Sequence, residues 1–158
     1  MTIFDNAACC TSDQWLGQTG APRCVADGRD GLHQRPASVL VVDDDEVVCR
    51  TLKRILRRCA DVVYTASNKA EALSILDEHL VSILVCDFNL GENEPKGTTL
   101  TEQLRHLYPS IYHAVIFTGE GLQCIPRSTS VDTVMRKGKD EARLCAVIRR
   151  RLALSPLR

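Results

Sequence analysis

Asp87 closes an apolar run, Ile83-Leu84-Val85-Cys86, and a second run, Val39-Leu40-Val41-Val42, closes in Asp43-Asp44-Asp45-Glu46. Two buried strands of a parallel sheet that both end in carboxylates would bring several negative charges into one crevice. That crevice lies at the C-terminal edge of the strands, where open α/β sheets bind ligands. Such a cluster calls for a cation, and an all-oxygen set suits a hard divalent ion. Mg²⁺ held by one or two carboxylates keeps positions for water and a phosphoryl oxygen. Two more apolar runs end in fitting residues: Ala114-Val115-Ile116-Phe117 leads into Thr118-Gly119, and Thr133-Val134-Met135 leads to Lys137. Asp44 and Asp87 would hold the metal, with Asp43 acting directly or through water. Asp87 then becomes a carboxylate nucleophile toward phosphorus, while Lys137 and Thr118 supply a cation and a hydroxyl for phosphoryl oxygens. Taken singly, an Asp, Thr or Lys after a strand reflects turn formation and helix capping. Together, at four strand ends in one topology, they point to phosphoryl chemistry.

The elements that must position these residues follow from periodicity. From Val39 onward, short apolar runs alternate with helical patterns, the signature of βα units and a parallel sheet. After the first strand, Val48, Leu52, Ile55, Leu56 and Cys59 share a helical face, with Arg50, Lys53, Arg54, Arg57 and Arg58 largely off it. Val62-Val63-Tyr64 reads as the second strand. Asn68 with Glu71 starts a helix whose stripe is Leu73, Leu76 and Leu80. Ile83 to Cys86 is the third strand. Thr99 and Glu102 form a capping-box pattern before Leu100, Leu104 and Leu107, and Pro109 closes that helix. Between the fourth and fifth strands, Glu120 to Ser130 holds Gly121 and Pro126 with little helical period, so a helix there is short or broken. A last helix from Asp140 to Leu154 packs Leu144, Val147, Ile148 and Leu152.

Residues 1–37 carry scattered glycine and proline without a sustained period, which predicts a flexible arm with Trp15-Leu16 as its one obvious anchor. Residues 38–155 then form a single domain. A net charge of zero gives no global reason to expect a nucleic-acid partner. Arg149-Arg150-Arg151 reads as the solvated side of the last helix, within a C-terminal stretch that is basic from Arg136 onward. No apolar run is long enough to span a bilayer, and the N-terminus lacks a secretion signal, so the expected location is the cytoplasm, with no membrane partner. Neither the cysteines nor His33, His79, His106 and His113 show metal-binding spacing. Reduced thiols are expected, Cys9, Cys10 and Cys24 being the candidates for reactivity, and the histidines read as surface or capping residues.

The chain resembles the receiver domain of bacterial response regulators. The motifs are Val39-Leu-Val-Val-Asp-Asp-Asp-Glu46, Ile83-Leu-Val-Cys-Asp-Phe-Asn-Leu90, Val115-Ile-Phe-Thr-Gly119 and Val134-Met-Arg-Lys137, in the family's order over about Ser38 to Leu154. The resemblance implies a flavodoxin-like doubly wound five-stranded parallel sheet of order 2-1-3-4-5. It implies that Asp87 accepts phosphate from a histidine kinase or phosphotransfer protein, as a signalling phosphoacceptor rather than an ordinary enzyme. Asp43 and Asp44 become the acidic pair, the backbone carbonyl of Asn89 a further Mg²⁺ ligand, Thr118 the switch hydroxyl and Lys137 the phosphate-binding lysine. A stand-alone receiver acting on an unidentified output protein is the leading expectation, and a phosphorylation-independent interaction module is the alternative. An aspartate-nucleophile phosphohydrolase would want a second acid at Asn89. Three departures stand out: Val134 where the family places an aromatic switch residue, Gly138 where it generally has proline, and the short Thr118–Lys137 interval containing Pro126. The loop Gly91 to Gly97 is slightly long, and its two glutamates are placed to modulate access to Asp87.

Overall fold

Val39, Leu40, Val41 and Val42 are branched apolar residues with no polar alternate, so their strand has to be covered on both faces. The computed structural model, which describes residues 37–154, covers it with helices on each side of a five-stranded parallel sheet of order β2-β1-β3-β4-β5. In chain order the elements are β1 (Ser38–Val42), α1 (Glu46–Leu56), β2 (Val62–Ala66), α2 (Lys69–Glu78), β3 (Ile83–Cys86), α3 (Gly97–Leu107), β4 (His113–Thr118), β5 (Thr133–Arg136) and α4 (Glu141–Ala153). Strands β1, β3 and β4 are buried along their whole length, and the edge strands β2 and β5 only in part. The flavodoxin-like order expected from the resemblance is the one found. Residues 1–36, with the Trp15-Leu16 anchor, Cys9, Cys10 and Cys24, lie outside the described residues.

The two sheet faces carry separate cores. Val39, Val41, Val85, Val115 and Phe117 point toward α1 and α4 and meet Leu52, Leu56, Leu144 and Ile148. Leu40, Val42, Leu84, Cys86 and Ile116 point the other way, toward α2 and α3, and meet Ala72, Leu76, Leu100 and Leu104. This period-two alternation assigns each residue its side of the sheet. Each fully buried Val, Leu or Ile contributes roughly 1.5–3 kcal/mol relative to exposure, so the two cores dominate stability.

Helix faces differ from the sequence expectation where a neighbouring element decides. On α1 the deeply buried positions are Cys49, Leu52 and Leu56, while Val48 is half-buried. The helix is rotated so that the Cys49 thiol reaches the Asp43 carbonyl at 3.3 Å. On α2 the buried residues are Ala72 and Leu76. Leu80 lies past the helix end and is exposed. Asn68 does cap α2, accepting from Glu71 N–H at 2.9 Å, and Glu71 reaches back to the Ser67 N–H at 2.7 Å. The capping box at Thr99 and Glu102 is not formed. Helix α3 starts earlier, at Gly97, with no side-chain cap at Lys96, and Leu107 is exposed. A tertiary contact starts that helix instead: Gly97 N–H donates to the Phe88 carbonyl at 2.8 Å. Between β4 and β5 the chain makes only a 3-10 turn, Leu122–Cys124, as Gly121 and Pro126 led us to expect.

His113 is buried on β4, not a surface residue. Its Nδ1 lies 3.5 Å from Asp132 Oδ2, and its Nε2 has no partner. Burial, with Arg151 and Arg105 adding to it, holds its pKa below the ordinary value despite the Asp132 carboxylate. The unfolded chain therefore takes up the proton first as pH falls, so the stability conferred by neutral His113 is present above the ordinary histidine pKa and is lost progressively below it. Replacing His113 with Phe should flatten the fall in urea-unfolding free energy between about pH 7 and pH 5, histidine titrating near 6.5 when unperturbed. An unchanged slope would show that other groups set it.

Candidate functional site

Strand register brings the expected residues to one edge. Val42 pairs with Cys86, so Asp43 and Asp87, each the next residue, emerge side by side from β1 and β3. Cys86 pairs with Ile116 and Thr118 with Arg136, which places Thr118 beside them and Lys137 just beyond it. Backbone bonds fix these exits: Asp87 N–H donates to the Val42 carbonyl and Lys137 N–H to the Thr118 carbonyl, both at 2.8 Å.

The acidic run after β1 divides its work. Asp45 caps α1, its carboxylate accepting from Val47 N–H at 2.8 Å. Asp43 is buried and accepts from Asp45 N–H at 3.1 Å, whereas Asp44 is exposed. Asp43, Asp44 and Asp87 each present a carboxylate oxygen within 4.8 Å of the others. Three carboxylates this close repel unless cations intervene, and one is supplied by the chain. Lys137 Nζ lies 2.7 Å from Asp43 Oδ2 and 2.9 Å from Asp87 Oδ2. Burial raises the Asp43 pKa, and the hydrogen bond and charge of Lys137 offset that only in part. Burial acts to lower the Lys137 pKa, but its bonds to both carboxylates prevail and keep the ammonium protonated above its usual range. Asp44, exposed at the mouth, makes no ion pair with the described residues.

Several contacts around this cluster were not visible in the motifs. Asp87 Oδ1 accepts from Phe88 N–H at 2.7 Å, so the carboxylate is oriented by its own backbone as well as by Lys137. Thr118 Oγ1 accepts from Glu120 N–H at 3.1 Å, which leaves its proton to give. Asn89 is exposed, and its side chain accepts from Lys96 Nζ at 2.7 Å. Glu94, one of the two loop glutamates, accepts from Lys69 N–H at the start of α2 at 3.1 Å and so ties the loop to the neighbouring helix. Gly97 lies against the Asp87 backbone so closely that an added Cβ would sit 1.9 Å from the Asp87 carbonyl oxygen. A glycine ending a loop before a helix was the only sequence sign of that contact. Gly138 takes φ +77, where proline cannot go, which accounts for glycine at that position. Val134 is half-buried and packs in the same cluster as Ile125 and Val131.

The description "Response regulator receiver domain" fits residues 39–149 of the chain as a family match. The chain belongs to that family. It is 27% identical over 116 residues to the methanol utilization control regulatory protein MoxX of Paracoccus denitrificans, covering 71% of this chain and 52% of MoxX. The chain thus spans about half the length of that relative. Among solved structures, the signal receiver domain of an HD domain-containing protein from Pseudomonas fluorescens Pf-5 superposes with a TM-score of 0.67 at 22% identity, over 80% of this chain and 93% of that one. A response regulator from Burkholderia pseudomallei, solved with a phosphorylated aspartic acid, calcium ion and citrate, gives a TM-score of 0.58 at 25% identity, over 74% of this chain and 69% of that one. Among the described residues no helix is long and apolar enough to cross a membrane.

The lysine clamp makes a specific prediction. Lys137→Met would leave Asp43 and Asp87 facing each other without a counter-charge. We expect a stability loss of about 3 kcal/mol at neutral pH, because both carboxylates are buried. Added Mg²⁺ should shrink that loss, because carboxylates freed of the competing ammonium bind a divalent ion more tightly and tighter binding stabilises the folded variant more than wild type. Urea unfolding with and without MgCl₂ measures both. Equal stability of variant and wild type would mean that Lys137 does not neutralise the cluster.

Proposed function

We propose that the protein is a phosphorelay receiver in which Asp87 takes a phosphoryl group from a histidine kinase or phosphotransfer protein. Residues 38–155 carry the receiver in this reading, and residues 1–37 precede it. The observation that carries it is the Lys137 bridge between Asp43 and Asp87 within a three-carboxylate cluster at the sheet edge. The oxygen donors of Asp43, Asp44 and Asp87, with the Asn89 carbonyl, fit Mg²⁺ in number and hardness. When bound, the ion neutralises charge on the phosphoryl oxygens and screens the carboxylates from one another.

Asp87 is the nucleophile. One carboxylate oxygen bonds to phosphorus as the bond from phosphorus to the donor nitrogen breaks, and the imidazole leaves with its electron pair. Lys137 moves its hydrogen bond from Asp87 Oδ2 to a phosphoryl oxygen as the carboxylate loses its charge. Phe88 N–H keeps the other oxygen oriented. The Thr118 hydroxyl donates a hydrogen bond to a second phosphoryl oxygen. As that hydroxyl turns, its bond from Glu120 N–H is released, and the segment from Gly119 toward the 3-10 turn is freed to shift. Val134 has no ring to turn with it, so this backbone route carries the change toward an output protein at the β4–β5 side. The cytoplasm, where histidine kinases present their phosphate, is the matching location.

Acetyl phosphate, a small phosphoryl donor, tests this reading without the kinase. Intact mass should show one phosphoryl group per chain in the presence of Mg²⁺ and little without it. A folded chain that takes none, beside a receiver that does under the same conditions, would contradict the proposal and favour a phosphorylation-independent interaction module.

A further inference from the structure

Arg57 and Arg58, in the turn after α1, meet Arg149 of α4 around one shallow pocket with Asp61. This pocket lies at the N-terminal edge of the sheet, where Asp61 precedes β2, and so on the opposite edge from Asp87. All three arginines are exposed, and none makes an ion pair with the described residues. Asp61, which lines the pocket with them, already accepts from the Ala37 N–H at 2.8 Å, a bond that anchors the start of β1. Three arginines against one carboxylate leave a net positive local field that an anionic group would relieve.

An apolar groove of about 430 Å³ adjoins the pocket, between α1 and α4. Ile55, Ala142, Cys145 and Ala146 supply its apolar lining, Arg58 and Arg149 line it as well as the pocket, and Glu141 closes the end away from the arginine pocket, where its carboxylate accepts from Gly138 N–H. The small side chains of Ala142 and Ala146 leave the groove open to an apolar side chain. No aromatic residue lines either the groove or the pocket, so nucleotide bases have no stacking surface, and the apolar part of the groove is better matched by an apolar side chain than by a phosphodiester backbone. Charge and shape together fit a different occupant.

We propose that this groove docks an acidic segment of a partner protein, with one apolar side chain set in the groove and carboxylates paired to Arg57, Arg58 and Arg149. Arginine is suited to such pairing because its planar fork meets a carboxylate with two parallel bonds. The site is separate from the acidic cluster, so docking is independent of whether Asp87 takes phosphate.

Selection of short random displayed peptides on the full chain tests this, followed by fluorescence anisotropy of the enriched peptides. The enriched sequences should be rich in Asp and Glu and carry at least one Leu, Met or Phe. They should bind the double variant Arg58→Glu, Arg149→Glu about tenfold or more weakly than wild type, and bind Asp87→Asn as well as wild type. Exchange of the apolar residue for Ser should weaken binding further. Enrichment of neutral or basic sequences would overturn the proposal, as would equal affinity for the double variant. Competition by a DNA duplex as strong as that by the peptide would show a polyanion surface instead, and would also overturn it. Thermal melting of the double variant should match wild type, since both arginines are exposed.

Discussion

Asp87→Asn is expected to abolish phosphoryl acceptance while leaving the chain as stable as wild type or slightly more so. An amide oxygen is a poor nucleophile, so no adduct should form at any Mg²⁺ concentration. The stability half follows from the cluster. Asp87 stands beside buried Asp43, and one ammonium, Lys137, serves both. Removing one negative charge leaves Lys137 paired to Asp43 at 2.7 Å and relieves the repulsion between the two acids. The amide oxygen can still accept from Phe88 N–H. Urea unfolding at pH 7.5 should place the variant between equal stability and a gain of about 1 kcal/mol, because the relieved repulsion is partly offset by the weaker bond from Lys137 to an amide. A loss larger than that would mean that Asp87 is held mainly by favourable bonds rather than confined in a repelling cluster.

Gly97→Ala should be the most damaging single methyl addition near the site. Its Cβ would lie 1.9 Å from the Asp87 carbonyl oxygen and 2.9 Å from the carbonyl carbon, contacts against backbone that cannot rotate aside. Either the start of α3 or the end of β3 has to move. Overpacking of this kind costs roughly 1–3 kcal/mol, more than the fraction of a kcal/mol that alanine gains over glycine in a helix. We expect a net loss of about 2 kcal/mol, because both displaced segments are buried. Acceptance of phosphate from acetyl phosphate should slow by about a hundredfold, since a shift of about 1 Å in a reacting group has that effect. Gly119→Ala is the control for stability: nothing lies within 4 Å of its added Cβ, and its unfolding should match wild type. A stable, fast Gly97→Ala variant would show that α3 does not brace Asp87.

The order of the strands in the sheet followed from the family resemblance. The strands themselves were legible because apolar runs bounded by turn residues leave few alternatives, and four of the five runs ended in a residue that the sheet edge could use. Asp43, Asp87, Thr118 and Lys137 could thus be placed from spacing alone. What escaped was set by tertiary contact. The start of α3 at Gly97 comes from docking on Phe88 and Asp87, which no capping pattern encodes. The rotation of α1 that buries Cys49 rather than Val48 reflects the thiol's bond to the Asp43 carbonyl. His113 was read as a surface residue because a lone histidine at the start of a strand gives no sign of being covered, and here Tyr112, Arg105 and Asp132 surround that strand end. The three arginines at the far edge come from the turn after α1 and from α4, separated in sequence by most of the domain, so their meeting needed the fold.

The measurement that bears most directly on the central claim is the location of the phosphoryl group. Wild-type protein treated with acetyl phosphate and Mg²⁺ would be reduced with borohydride, which converts an aspartyl phosphate to homoserine, and then digested for tandem mass spectrometry. The account predicts homoserine at position 87 alone, with none when Mg²⁺ is chelated. Homoserine at Asp43 or Asp44, or modification at Asp87 that is equal with and without Mg²⁺, would contradict it.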